Sequence, residues 1–198
     1  MLINKDFKKF KTVIREEYDK QEANNNWINS PLEKINALKN DYSGKVGERW
    51  LEKLCKGYEL DCSYSEDQID SEATYDLIIN DLKVEVKTAR FGKCKSFQHE
   101  NLRSSGCDKY TFIDVLPNSV YITVIDSDFD YNRQHPILGR TPHLRKGTTD
   151  VYKFDFGKKT IKNGIESGIT FELKERETDD GSLKEFLTNM FKQNKKTP

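Results

Sequence analysis

The stretch Thr74-Tyr75-Asp76-Leu77-Ile78-Ile79-Asn80-Asp81-Leu82-Lys83-Val84-Glu85-Val86-Lys87-Thr88 reads as a β-hairpin. Two runs of alternating polar and apolar residues flank Asn80-Asp81, and Asn and Asp tolerate the positive φ that a two-residue hairpin turn requires. With that turn, Tyr75 faces Val86, Leu77 faces Val84 and Ile79 faces Leu82, which makes one face apolar. On the other face Ile78 meets Lys83, Asp76 meets Glu85 and Thr74 meets Lys87. Asp76 and Glu85 then stand opposite each other with Cβ atoms roughly 4.5–5.5 Å apart, a pairing of like charges that destabilises a hairpin. A divalent cation between them removes the penalty, and hard carboxylate oxygens suit Mg²⁺. Lys87, two residues beyond Glu85, points to the same side. Its ammonium suits holding a water or offsetting charge that develops on a phosphate. The bland alternative is the solvated face of an amphipathic hairpin.

The pattern around the hairpin predicts a mixed α/β domain, with helices, a sheet and a closing helix. Phe7, Phe10, Ile14 and Tyr18 recur at helical spacing. Ser30-Pro31-Leu32-Glu33 has a capping-box pattern ahead of an apolar stripe of Leu32, Ile35 and Leu38. A third helix is expected from about Ser43 to Cys55, with Val46, Trp50, Leu51 and Leu54 inward and Gly57 at its end. Glu48 falls about 60° outside that stripe at 100° per residue. Tyr58, Leu60, Cys62 and Tyr64 alternate as in a strand. Further strands are expected at Tyr110–Val115, Val120–Ile125, Val151–Phe156 and Ile169–Leu173. Ser182-Leu183-Lys184-Glu185 opens a final helix with Phe186, Leu187, Met190 and Phe191 on its apolar side. The expected division is an N-terminal helical segment over 1–41 and a core domain over 42–198.

Composition narrows the class. The chain has 198 residues, 33 basic and 33 acidic, so its formal charge is zero. That rules out a simple polycation coating nucleic acid but allows a local basic site. Charge is in fact segregated along the chain. Residues 59–81 hold eight acids and no base, residues 82–109 seven bases and three acids, and residues 132–148 four bases, two histidines and no acid. No run of 18 apolar residues exists, so no membrane span is expected. The charged start MLINKDFKKFK lacks the apolar stretch of a signal peptide. Cys55, Cys62, Cys94 and Cys107 contain no CxxC spacing. They read as reduced thiols of a cytoplasmic protein, with a zinc site that includes His99 as the weaker alternative.

Asp76 followed by Glu85-Val86-Lys87 across a short turn resembles the PD-(D/E)XK nuclease superfamily, which includes many type II restriction endonucleases. No Pro precedes Asp76, a frequent but dispensable residue there. Two further stretches carry the resemblance. Gly47-Glu48-Arg49 lies on the preceding helix, and Phe97-Gln98-His99-Glu100-Asn101-Leu102-Arg103 is similar to an FQF(N)xIR-like segment of bacterial restriction-type nucleases. Together they span roughly Gly44 to Ile125.

The resemblance implies a restriction-endonuclease-like fold, a mixed sheet of four to five strands flanked by helices. It implies Mg²⁺, one or two ions, held by Asp76 and Glu85 with Glu48 assisting. It places Gln98 near the active site and Arg103 near the phosphates. Arg90, Lys93, Lys95, Arg140, Arg145 and Lys146 are further candidates for DNA contact, and the loop from Arg133 to Thr148 has the donors to read base edges. The expected activity is hydrolysis of double-stranded DNA at a specific sequence. A homodimer follows from the need to cut two strands, with the N-terminal helical segment over 1–41 expected to serve dimerisation or DNA wrapping and a cognate methyltransferase as a companion. The alternatives are a Holliday-junction or repair nuclease that reads structure, and a non-catalytic DNA-binding module.

Overall fold

The computed structural model describes residues 27–64, 75–92, 95–104, 106–174 and 181–193. The helix expected around Phe7–Tyr18 lies outside them. Helices α1 (Glu33–Ala37) and α2 (Asn40–Gly57) lead into strands β1 (Cys62–Tyr64), β2 (Leu77–Ile79), β3 (Leu82–Arg90), β4 (Phe97–Arg103), β5 (Lys109–Val115) and β6 (Ser119–Asp126). Then follow β7 (His143–Leu144), β8 (Val151–Phe156), α3 (Lys158–Glu166), β9 (Thr170–Lys174) and α4 (Ser182–Met190). The architecture is mixed α/β. None of the described helices is long and apolar enough to cross a membrane.

The main sheet has six strands in the order β1-β2-β3-β5-β6-β9. All neighbours are antiparallel except β3 and β5, which run parallel from Val84↔Lys109 to Arg90↔Val115. A parallel pair needs a crossover, and here the chain between them forms β4. That strand leaves the main sheet and pairs with β8, which also pairs with β7, in a second sheet of three strands.

The main sheet is covered on both faces. On one face Leu51 and Cys55 of α2 and Leu183 and Leu187 of α4 are buried with Leu77, Ile79, Val84, Val86, Ile113, Val115, Ile122 and Val124. On the other, Phe97 and Leu102 of β4 and Phe154 and Phe156 of β8 meet Ala89, Tyr110, Phe112 and Ile125. Alternation along β5 explains the division, since Tyr110 and Phe112 take one face and Ile113 and Val115 the other.

Glycine sets two helix positions. A Cβ on Gly47 would stand 1.9 Å from Thr88 Oγ1, and one on Gly164 would stand 2.1 Å from Thr170 Oγ1. Each helix therefore touches its strand through a glycine, and in α2 this brings the neighbouring Glu48 against the hairpin.

Several expectations are corrected. The helix predicted from Ser43 starts at Asn40, across the expected 41/42 boundary, and ends at Gly57. Val46 faces solvent at 44% exposure, because the buried side runs through Gly47, Leu51 and Cys55. The capping boxes do not close. Glu33 accepts from the Asn29 N–H instead of Ser30, and Ser182 is already helical behind Gly181, whose φ is +81°. The strand expected from Tyr58 is confined to Cys62–Tyr64, since Tyr58 and Leu60 donate their N–H groups back to the end of α2. Helix α3 and the second sheet were not expected. The described cysteines Cys55, Cys62 and Cys107 are free thiols.

One buried polar contact joins the two sheets. His99 of β4 and Asp114 of β5 meet at 2.8 Å (Nε2 to Oδ1), both with fully covered side chains. The His99 ring lies 4.7 Å from that of Phe112 and 5.0 Å from that of Phe156. Burial pushes the Asp114 carboxyl up, and His99 opposes that rise. Removing one partner strands the other in an aromatic box. Asp114→Ala is therefore expected to cost about 3–5 kcal/mol in urea unfolding, and the double variant with His99→Phe less than the single one.

Candidate active site

The hairpin turn is as the sequence predicts. Asn80 and Asp81 have φ of +48° and +65°, and the register is Leu77↔Val84, Ile78↔Lys83 and Ile79↔Leu82. It departs at Asp76, which does not pair across the ladder with Glu85. The Asp76 N–H bonds the Val84 carbonyl at 3.0 Å, and its Oδ2 accepts from the Val86 N–H at 2.7 Å. Beyond Val84, β3 has left β2, and the Asp76 carboxylate replaces the missing strand at the first unpaired donor. Buried donors need such a partner.

This departure opens a cleft of about 630 Å³. Asp76 and the β3 residues Val86 to Arg90 line one wall, with Ser43, Gly44 and Glu48 of α2. Gln98, His99, Glu100 and Asn101 of β4 line the other. Four of the expected residues, Asp76, Lys87, Glu48 and Gln98, thus share one cleft. Glu85 joins them through an ion pair with Lys87.

The carboxylates are held by the chain's own donors. Glu48 is buried, and its Oε2 accepts from Lys45 Nζ at 3.0 Å and from the Tyr64 hydroxyl. Tyr64 is pushed up to about 12, first by burial and then by Glu48. Asp76 is pushed up to about 7, first by burial and then by Glu85 and Glu48. Burial also raises Glu85, against the pull of Lys87. Like charges that repel in a buried place cannot all ionise cheaply, so burial and repulsion act in the same direction on this group of acids. Among the described residues no three His, Cys, Asp or Glu side chains form a ready metal cluster. Lys45 and Lys87 occupy Glu48 and Glu85 instead. The donor set still fits a hard cation, since all three acids offer oxygen and like charge is gathered in a half-buried place.

The expected DNA-contacting residues divide. Arg90 lines the cleft, but its Nη1 donates to the carbonyls of Ile35, Asn36 and Leu38 at 2.8–3.0 Å and so ties β3 to the end of α1. Arg145 reaches the cleft through Asn101. Lys95, Arg103, Arg140 and Lys146 are exposed outside its lining. Lys93 lies outside the described residues. Lys45, Tyr64 and Asn101 were not singled out from sequence. Each joins the site through folding alone, and only Lys45, three residues before Glu48 on a helix, carries a local signal.

No family model matches the chain, and no curated protein or solved structure matches it either.

Because the fold favours protonated Asp76, its contribution to stability is full below the ordinary value of 3.8 and is lost as pH rises through about 7. Asn keeps the acceptor for the Val86 N–H without the charge. Asp76→Asn is expected to gain on the wild type by about 2–4 kcal/mol between pH 4 and pH 8 in metal-free denaturant melts. Mg²⁺ should raise the wild-type melting temperature at pH 8 and leave the variant nearly unmoved.

Proposed function

We propose that the chain is a Mg²⁺-dependent endonuclease that hydrolyses phosphodiester bonds of double-stranded DNA at a specific sequence. In this reading it has a restriction-endonuclease-like fold and acts in the cytoplasm as a type II restriction endonuclease does. The observation that carries the reading is the convergence of Asp76 and Lys87 of one hairpin with Glu48 of α2 at one open cleft, with Glu85 paired to Lys87. The parallel β3–β5 pair within a mixed sheet also supports it.

Asp76, Glu85 and Glu48 would hold Mg²⁺. When bound, it polarises a phosphoryl oxygen and lowers the pKa of water. The chain's own groups do the remaining work. Val86 N–H fixes the Asp76 carboxylate through Oδ2. Glu85 anchors the Lys87 ammonium beside the scissile position, where it orients the attacking water and offsets charge on the phosphate. Gln98 stands across the cleft as a neutral donor. One such cleft cuts one strand, so a homodimer is proposed for cutting two. A methyltransferase acting on the same sequence would be its natural companion.

Long unmethylated duplex DNA incubated with the protein and Mg²⁺ should give discrete fragments. EDTA should abolish them, and Lys87→Ala should lower the rate at least about a hundredfold. Fragments that persist unchanged in Lys87→Ala would sink the assignment of Lys87. A smear would point to a nuclease without sequence preference. Intact duplex in every lane, together with intact branched DNA, would remove the nuclease reading.

A further inference from the structure

The wall of the cleft opposite the hairpin is broken by a β-bulge. The register of β4 against β8 shifts between His99 and Leu102, and Asn101 takes a φ of +60°. Glu100 and Asn101 are both exposed and both line the cleft. Bulges beside sites re-aim side chains in this way, and a non-glycine residue at positive φ is held there by its surroundings.

What holds Asn101 is Arg145. Its Nη1 donates to Asn101 Oδ1 at 2.7 Å. The backbone of Arg145 is pinned as well. Its N–H bonds the Val151 carbonyl at 2.8 Å, and its own carbonyl accepts from the Thr148 N–H at 3.1 Å and the Thr148 hydroxyl at 2.8 Å. Yet the side chain is exposed, and Nε and Nη2 have no partner among the described residues. A fixed backbone and one fixed nitrogen orient the guanidinium, so its remaining edge is a pre-set pair of donors at the cleft rim.

Two DNA groups match such a fork. One is a phosphate, and the other is guanine, whose N7 and O6 present adjacent acceptors in the major groove. The neighbouring carboxylate decides between them. Glu100 lines the same wall, its only ion pair among the described residues being a long one of 4.0 Å to Lys153. An acid there repels a phosphate but accepts from the N4 amino group of cytosine, which the same base pair presents beside guanine O6. We propose that Arg145, oriented by Asn101, reads a guanine, and that Glu100 faces the paired cytosine. This inference rests on the nuclease reading above.

The test is selection of bound duplexes from a randomised pool by the full chain carrying Lys87→Ala, in Mg²⁺. The expected result is an enriched sequence with a required G·C pair. Adding Arg145→Ala or Arg145→Lys should relax that position by about five- to a hundredfold and leave the others intact. Asn101→Ala should relax the same position more weakly. Unchanged melting curves would show that these exposed replacements leave the fold in place.

An enriched sequence identical in all variants would overturn the proposal. So would a uniform loss of affinity with a salt dependence shallower by about one phosphate, which marks a backbone contact. Binding without any enriched sequence would overturn it while leaving a nuclease that reads structure. No binding to duplex or branched DNA would remove the nuclease reading itself and this inference with it.

Discussion

The hydrogen bond from the Val86 N–H to the Asp76 carboxylate is the contact on which the cleft depends. A hairpin left to itself would continue its ladder past Leu77 and Val84 and close β3 against β2. Here the side chain of Asp76 takes the place of the next backbone acceptor, so the strands separate without an orphaned donor. The same bond fixes a carboxylate close to Glu85 and Glu48, where its charge is least welcome. The polar accounting of the backbone and the concentration of negative charge are therefore one arrangement.

The opposite wall depends on a second buried polar contact. Strand β4 belongs to the smaller sheet, yet His99 ties it to Asp114 at the centre of the larger one. Around that pair the interface is aromatic, with Phe112 and Phe156 against the imidazole. Apolar packing alone specifies contact but tolerates sliding, whereas a buried polar contact enclosed by aromatic rings favours one alignment. Gln98, Glu100 and Asn101 flank His99 on the same strand, so their positions along the cleft are set by it.

Legibility in the sequence followed the range of the interactions. The hairpin was readable because its determinants lie within fifteen residues, and alternation plus Asn80-Asp81 fixes the register. Strand β8 and the spans of β5 and β6 were readable for the same reason. Glu48 was placed beside the site by a resemblance, and its Lys45 and Tyr64 partners were not, since Tyr64 is brought in by β1 from outside the helix. Strand β4 escaped because its bulge breaks the alternation of Phe97, His99 and Leu102. Helix α3 escaped because Gly164 weakens the helical signal for a packing reason that only Thr170 reveals. Asp114 did carry a sign of its role: one acid in the apolar run Tyr110 to Leu116 has to be paired once buried.

Zero net charge fits this site better than it first appears. Two of the three acids that would hold a cation already have a basic or polar side chain on them: Lys45 and Tyr64 for Glu48, and Lys87 for Glu85. Such pairs let three carboxylates gather in one place without unfolding the chain. They also set a condition for any incoming cation. It must displace or share a lysine's hold on the acids, and it does so at a gain only where their repulsion stays partly unrelieved. Asp76 has no ion pair to a lysine among the described residues, and burial with repulsion from Glu85 and Glu48 pushes its carboxyl up. Lys87, if freed from Glu85 by a cation, would remain at the cleft with its charge unspent, beside whatever anion the cleft admits.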